Sequence, residues 1–109
     1  MKYQVVEYIT EDDKSPYAKW FESLDTTPAA KVATAVLRIA NGNLSNVKWL
    51  YGIGEYRIDF GPGYRIYLGK EGDRLIILLG GDTKHAQQKD IEKAGQLWAD
   101  YKTRKRSEV

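Results

Sequence analysis

The chain has no cysteine and only one histidine, His85, among its 109 residues. Disulfide bonds and thiolate metal sites are therefore excluded, as are sites that need several histidines. The net charge is also small, at +2, so total charge alone does not indicate a nucleic-acid partner. No apolar run reaches the length of a membrane span, and the N-terminal segment turns acidic too early for a signal peptide. The sequence predicts a cytoplasmic protein with no membrane partner, no metal and no other cofactor.

Prolines are few as well, and two of the three mark the expected beginnings of helices. Ser15 followed by Pro16 predicts the start of a first helix. Thr27 followed by Pro28 predicts the start of a second helix, which Gly42 ends. Apolar residues recur at helical spacing along this second helix, at Val32, Ala35, Val36 and Ile39. We expect the two helices to form a hairpin that covers a sheet.

Segments rich in β-branched and aromatic residues predict four strands, at residues 3–9, 53–60, 63–69 and 74–79. The connection before residue 53 has room for a further short strand at 47–50. A last helix is predicted over 84–104, with a buried face formed by Ile91, Ala94, Trp98 and Tyr101. The resulting order, β-α-α-β-β-β-α, predicts a single α+β domain over residues 1–109. Its antiparallel sheet is flanked by the N-terminal helix hairpin and the C-terminal helix.

The stretch EYRIDFGPGYRIYLG, residues 55–69, alternates between polar and apolar residues on both sides of Gly-Pro-Gly. A three-residue loop at 61–63 keeps the two kinds of side chain on opposite faces of a hairpin. It pairs Asp59 with Arg65 and makes Arg57 a diagonal neighbour of Arg65. Two interpretations of the polar face stay open. One is an ordinary solvated surface, and the other is a site for a phosphate, which the planar guanidinium group suits.

The stretch GGDTKHAQQKD, residues 80–90, predicts the start of the last helix, with Asp82 or Thr83 as its cap. Lys84 and His85 would then lie in the first turn, where the helix dipole makes a cation unfavourable by roughly 0.3–1 kcal/mol. Such a local conflict is typical of a functional site, although both side chains can also simply point into solvent. Since adjacent strands of a meander alternate in direction, four cationic residues are expected to converge at one end of the sheet: Arg57, Arg65, Lys84 and His85.

These motifs resemble those of the RelE/ParE toxin superfamily, and most of all its HigB-like addiction-module killer proteins. The similarity includes GEYRIDFGPGYRIYLG, IILLGGDTKHAQQKDI and the C-terminal WADY, and it covers nearly the whole chain. It implies the RelE fold, a cognate antitoxin encoded beside the toxin, and cleavage of messenger RNA on the ribosome by the ribose 2′-hydroxyl. ParE-like members inhibit DNA gyrase instead. That activity, and a degenerate toxin that only binds its antitoxin, stay open as alternatives.

By motif position, the resemblance implies that Arg65 contacts the scissile phosphate and that Arg57 is the basic residue of the preceding strand. Lys84 falls where the family has a basic residue after the last strand. A second basic residue of the family falls on Asp59 here, so His85 is the candidate for the missing proton-transfer group. The predicted catalytic residues are Arg57, Arg65, Lys84 and His85, and the predicted substrate-binding residues are Asp59, Tyr67 and Gln87.

Overall fold

The computed structural model describes residues 2–83 and 88–107, which form one five-stranded sheet and three helices. The elements are β1 Gln4–Glu7, α1 Pro16–Glu22, α2 Thr26–Ala40, β2 Val47–Leu50, β3 Ile53–Ile58, β4 Tyr64–Glu71, β5 Leu75–Thr83 and α3 Gln88–Ser107. The strand order in the sheet is β1-β5-β4-β3-β2. The α+β class is confirmed, and β2 adds a strand to the order that the sequence predicts.

The sheet is mixed, whereas the sequence predicts an antiparallel one. Strands β2 to β5 do form an antiparallel meander. Strand β1, however, pairs parallel with β5, with Gln4 opposite Leu75 and Glu7 opposite Leu78. The antiparallel prediction is therefore wrong at β1. Tight turns force antiparallel pairing, and no such turn joins β1 to β5, so the sequence pattern leaves the direction of β1 open.

The two N-terminal helices begin with proline in the first turn. Helix α1 starts as predicted at Pro16, and Ser15 is its N-cap. In α2 the N-cap is Asp25, and the prediction of Thr27 is wrong by two residues. Pro28 can lie two positions further into the first turn because the first N–H groups of a helix have no acceptor within it.

Helices cover both faces of the sheet, so the core has two layers. Helices α1 and α2 pack on one face, where Ile39, Tyr56 and Ile66 are buried. Helix α3 packs on the other face, where Ala94 and Trp98 are buried as predicted, with Ile91 and Tyr101 packed at the edge of the layer. Residues 76–79 of β5 are buried throughout, which confirms the prediction of a strand covered on both faces.

Two tryptophans fix the helices against glycines of the sheet. The ring of Trp20 in α1 lies on Gly81, where a Cβ atom would be 2.3 Å from it. The ring of Trp98 in α3 lies on Gly69, where a Cβ atom would be 2.4 Å away. Both positions therefore need glycine. The contacts hold α1 beside the end of β5 and α3 over the middle of β4.

All four predicted strands end at other residues than expected. Strand β1 ends earlier, at Glu7, and β3 ends earlier, at Ile58, whereas β4 continues to Glu71 and β5 continues to Thr83. Asp82 and Thr83 consequently belong to β5 and do not cap α3, so that prediction is wrong. No helix in the described part of the chain is long and apolar enough to cross a membrane.

Candidate functional site

The pairing of β3 with β4 places Arg57 directly opposite Arg65. The predicted pair of Asp59 with Arg65 is wrong, because the register differs by two residues. A shift of two residues leaves every side chain on its predicted face, since strand faces alternate with a period of two. The polar face of the hairpin is therefore confirmed, and the two arginines are closer neighbours than the sequence predicts.

The register differs because the loop between β3 and β4 has five residues, 59–63, and not three. Within this loop the N–H of Gly63 donates to the carbonyl of Phe60 at 2.9 Å. This bond closes a turn inside the loop and removes Asp59 and Phe60 from the strand. Asp59 is exposed there and does not pair with Arg65.

A β-bulge in β5 brings Asp82 onto the polar face. The ladder between β4 and β5 skips Leu79, so one residue of β5 is left over. One extra residue reverses the alternation of faces beyond it. Asp82 consequently lies opposite Arg65 on the face of α3, whereas Gly81 turns toward Trp20 of α1.

Five side chains form a connected set on this face, which we call the polar network: Glu55, Arg57, Arg65, Tyr67 and Asp82. Arg57 Nε lies 3.9 Å from Glu55 Oε1, and Arg65 Nε lies 3.7 Å from the same oxygen. The other side of Arg65 approaches Asp82, with Nη1 3.9 Å from Oδ1. The hydroxyl of Tyr67 donates to Asp82 Oδ2 at 2.6 Å. Cations and carboxylates therefore alternate along the network.

Burial divides the network into a fixed part and an accessible end. Glu55, Tyr67 and Asp82 are buried, and the side chain of Arg65 is only 12% exposed. The side chain of Arg57 is 61% exposed. Because Glu55 and Asp82 balance the two guanidinium charges, the network has no formal excess charge. Arg57 is the member that an approaching anion can reach.

Burial also sets the protonation of the inner members. It raises the pKa of Tyr67 well above the ordinary value, and the hydrogen bond to Asp82 and the nearby carboxylates act in the same direction. Tyr67 is therefore a neutral donor and not a base. Burial likewise raises the pKa of Asp82 above 3.8, reinforced by Asp90 and Glu55 and opposed by the bond from Tyr67 and the charge of Arg65.

The structure brings together part of the predicted site. Arg57, Arg65 and Tyr67 share the polar network, and Asp59 lies in the adjacent loop. Three other predicted site residues lie outside the described residues: Lys84, His85 and Gln87. The part of the chain that is described contains no group of three or more acidic, histidine or cysteine side chains suited to a metal ion.

Sequence reasoning missed the two buried carboxylates of the network. Glu55 was detectable, because it alternates in phase with Arg57 on β3 and so shares its face. Asp82 was not detectable from alternation, because the bulge at Leu79 changes its face.

Two cavities lie next to the polar network. One, of about 140 Å³, separates Tyr67 from Asp90 and Lys93 of α3. The other is a groove of about 300 Å³ between α2 and the end of β3, which we call the α2 groove. Its lining residues include Lys31, Thr34, Arg38, Arg57, Asp59 and Phe60.

Fold and site together define a small α+β protein with an arginine–carboxylate network on one face of a mixed sheet. No family model matches the chain. The chain is 40% identical over 83 residues to an uncharacterized protein of Haemophilus influenzae, in an alignment that covers 74% of this chain and 84% of that protein. It belongs to the same family as that protein. This membership assigns no activity.

Proposed function

We propose that the chain is the toxin of a type II toxin–antitoxin system, a cytoplasmic RelE-like endonuclease that cleaves messenger RNA on the ribosome. The observation that carries this proposal is the cross-strand pair of Arg57 and Arg65. Like charges directly opposite each other destabilise a sheet, and here Glu55 and Asp82 offset that repulsion. The guanidinium of Arg57 is still largely exposed, so it can contact an anionic substrate, and such groups donate to two phosphate oxygens at once.

In the proposed reaction the substrate supplies its own nucleophile. The ribose 2′-oxygen forms a bond to phosphorus, and the bond from phosphorus to the 5′-oxygen breaks, which leaves a 2′,3′-cyclic phosphate and a 5′-hydroxyl. The protein must take a proton from the 2′-hydroxyl, stabilise the charged transition state and return a proton to the 5′-oxygen.

Arg57 binds the scissile phosphate in this mechanism, because its guanidinium is the accessible end of the polar network. Arg65 lies behind it, between Glu55 and Asp82, and contributes positive electrostatic potential to the site. We assign proton transfer to Lys84 and His85 from the sequence alone.

A ParE-like inhibitor of DNA gyrase, without nuclease chemistry, is the second candidate. One observation favours it: Arg65 is largely buried and both guanidinium groups face carboxylates, so the network has little free positive charge for a transition state. Such a protein would act by binding alone. Its expression should induce the DNA-damage response and leave transcripts intact.

An in-vitro translation reaction with end-labelled transcript tests the nuclease proposal. We expect the wild-type protein to cut transcripts only when ribosomes are present. Arg57→Ala should lower the cleavage rate by about 100- to 1,000-fold, as expected for a lost transition-state donor. Arg74→Ala is the matched control, because it removes the same charge from a side chain that is 95% exposed in the turn between β4 and β5.

The cut ends identify the nucleophile. Products should have a 2′,3′-cyclic phosphate and a free 5′-hydroxyl, and a single 2′-deoxy substitution before the cut should abolish cleavage there. Ends with a 5′-phosphate would mean that water attacks instead. Intact transcripts after incubation with wild-type protein and active ribosomes would contradict the endonuclease proposal, and DNA damage in expressing cells would then favour gyrase.

A further inference from the structure

We infer that the cavity of about 140 Å³ between the sheet and the N-terminal half of α3, which we call the Gly80 cavity, binds a pyrimidine base of the RNA strand. This inference rests on the proposed function, because it takes RNA as the ligand. It gives the same site a pocket that selects the base beside the scissile phosphate. The proposed cleavage mechanism uses neither Gly80 nor the two polar residues that α3 contributes to the cavity, Asp90 and Lys93.

Gly80 leaves this cavity open, although its backbone does not require a glycine. It pairs with Tyr67 across β4 and β5, so its side-chain position faces α3. Its φ is not positive, and a Cβ atom added to it would have no described atom beyond its chain neighbours within 4 Å. At Gly81, in contrast, the ring of Trp20 occupies that space. A glycine inside a strand weakens the strand, and it often marks a position where a ligand approaches the backbone.

The size and the walls of the Gly80 cavity suit a single planar ring. A protein cavity of about 150 Å³ accommodates one benzene molecule, and the Gly80 cavity is nearly as large, at about 140 Å³. Leu79, Ala94 and Leu97 give it apolar walls, which the faces of such a ring can contact. The two fused rings of a purine exceed this volume, so the cavity selects a pyrimidine.

Two polar side chains of α3 distinguish a pyrimidine base from a hydrocarbon ring. Asp90 and Lys93 are three residues apart, so they lie on the same side of the helix, and both line the Gly80 cavity. Within residues 2–83 and 88–107, neither forms an ion pair. Cytosine and uracil each carry an N–H donor and a carbonyl acceptor on the ring edge. A carboxylate can accept from the first, and an ammonium group can donate to the second.

Tyr67 connects the cavity to the polar network, because it lines the first and is a member of the second. It lies on the same face as Arg65, two residues further along β4, and Arg65 pairs with Arg57. Tyr67 is therefore the diagonal neighbour of Arg57, at a separation of about 7–8 Å. One nucleotide spans this distance between its phosphate and its base. An aromatic side chain of a partner protein has no phosphate at that distance, so the contact with Arg57 favours a nucleotide.

Fluorescence anisotropy with labelled 2′-O-methyl trinucleotides tests the inference, because these probes keep the phosphates but lack the 2′-hydroxyl and are not cleaved. The central residue is cytosine, uracil, adenine or a sugar without a base. Wild-type protein should bind the two pyrimidine probes roughly tenfold more tightly than the probe without a base. Gly80→Val should remove this difference and bind the probe without a base as the wild-type protein does, because Arg57 is intact.

Gly95→Ala is the matched control and should keep the pyrimidine preference. Gly95 also lacks a positive φ and has open space at its Cβ position, but it lies outside the cavity lining. Urea denaturation should show that Gly80→Val is at least as stable as the wild-type protein, since its side chain enters open space. If Gly80→Val nevertheless failed to fold, Asp90→Ala and Lys93→Ala should each lower the ratio of pyrimidine affinity to the affinity for the probe without a base.

Equal affinities of wild-type protein for all four probes, or no binding of any, would overturn the inference. If the neighbouring gene product then bound Gly80→Val more weakly than wild type, the occupant would be a protein side chain. Tighter binding of the adenine probe, or a pyrimidine preference that persists in Gly80→Val, would also overturn it.

The transcript assay separates this inference from the proposed function. If wild-type protein prefers pyrimidine probes and Gly80→Val does not, but wild-type protein cuts no transcript, the nuclease proposal fails and the Gly80 cavity stands. If wild-type protein cuts transcripts and Gly80→Val cuts them at the same sites and rate, only the inference about the cavity fails.

Discussion

Arg57 and Arg65 face each other across β3 and β4, but their surroundings differ. Arg57 reaches into solvent, and its Nε lies 3.9 Å from Glu55 Oε1. Arg65 is enclosed between Glu55 and Asp82, both of which are buried. Removal of a buried counter-ion leaves a charge without compensation, which costs far more than the loss of an exposed ion pair. The two arginines therefore need different experiments.

Arg65→Ala should lower the free energy of unfolding by about 3 kcal/mol, because Glu55 and Asp82 would lose their shared cation. Arg57→Ala should change it by less than about 0.5 kcal/mol. Urea denaturation of the two variants measures the difference. Equal stability of the two variants would mean that Arg65 is not needed as a buried counter-ion. A loss of toxicity in Arg65→Ala is evidence about chemistry only after this measurement.

Asp82 should give the stability of the protein a distinctive pH dependence. Its pKa is raised in the folded state, so the folded protein holds the proton more tightly than the unfolded chain does. The contribution of Asp82 to stability is then greatest below pH 3.8 and falls as the pH rises from 3.8 through the folded-state pKa. Relative to Asp82→Asn, wild-type protein should lose stability over this range, as measured by urea denaturation at several pH values.

Asp73→Asn is the control for this pH series, since Asp73 is exposed in the turn between β4 and β5. It should leave the slope of stability against pH unchanged. If wild-type protein instead gained stability over Asp82→Asn with rising pH, the attraction of Arg65 would outweigh the burial of Asp82.

At the scale of elements, the hairpin of β2 and β3 contains a strained residue. Its two-residue turn is formed by Tyr51 and Gly52, both with positive φ, at 52° and 83°. This conformation suits asparagine or glycine at the first position and is unfavourable for a tyrosine. Tyr51 is 86% exposed, so packing does not compensate for the strain.

Tyr51→Asn should therefore raise the free energy of unfolding by about 0.5–1 kcal/mol. Chemical denaturation measures this gain. Tyr51→Ala is the matched control, because it removes the ring but keeps a side chain that disfavours positive φ. Equal gains in both variants would show that exposure of the ring, and not the backbone, is the unfavourable feature.

The helices and strands also show which structural features can be predicted from the sequence and which cannot. The helix start at Pro16 and the polar face of the β3–β4 hairpin were predictable, because capping and alternation are local properties. The register was not, because the five-residue loop at 59–63 depends on a bond between two of its own backbone groups. The parallel pairing of β1 depends on contacts 71 residues apart, Gln4 with Leu75, which no local pattern encodes.

At the scale of the whole molecule, side-chain contacts hold the C-terminal half of α3 against the ends of two strands, β1 and β4. Asp100 accepts from the hydroxyl of Tyr8, just after β1, and pairs with Arg104 at 3.0 Å. Arg104 also donates to the carbonyl of Ile9 at 2.6 Å. Lys105 pairs with Glu71 at the end of β4. A partner that displaced α3 would have to break these contacts and expose the buried face of the helix as well.

We therefore expect a neutralising antitoxin to cover Arg57 and the hairpin loop while α3 stays in place. Coexpression with the neighbouring gene product should yield a stable complex and restore growth. Hydrogen exchange should then slow in β3 and β4 and stay unchanged in the C-terminal half of α3. Faster exchange of α3 in the complex would mean that the antitoxin displaces it, and no complex with any neighbouring product would remove the toxin–antitoxin proposal.

The bulge at Leu79 divides β5 into two segments of opposite phase. Before it, even-numbered residues face α1 and α2 and odd-numbered ones face α3; after it, Gly81 faces α1 and Asp82 faces α3. In a complete substitution scan of this strand, polar residues would be tolerated at positions of one parity before the bulge and of the other parity after it. Without the bulge, the same strand would pair Leu79 with Tyr67 and Gly81 with Arg65, which would turn Asp82 to the face of α1 and α2 and separate Arg65 from its second carboxylate. One residue of spacing thus decides whether the end of β5 belongs to the core or to the site.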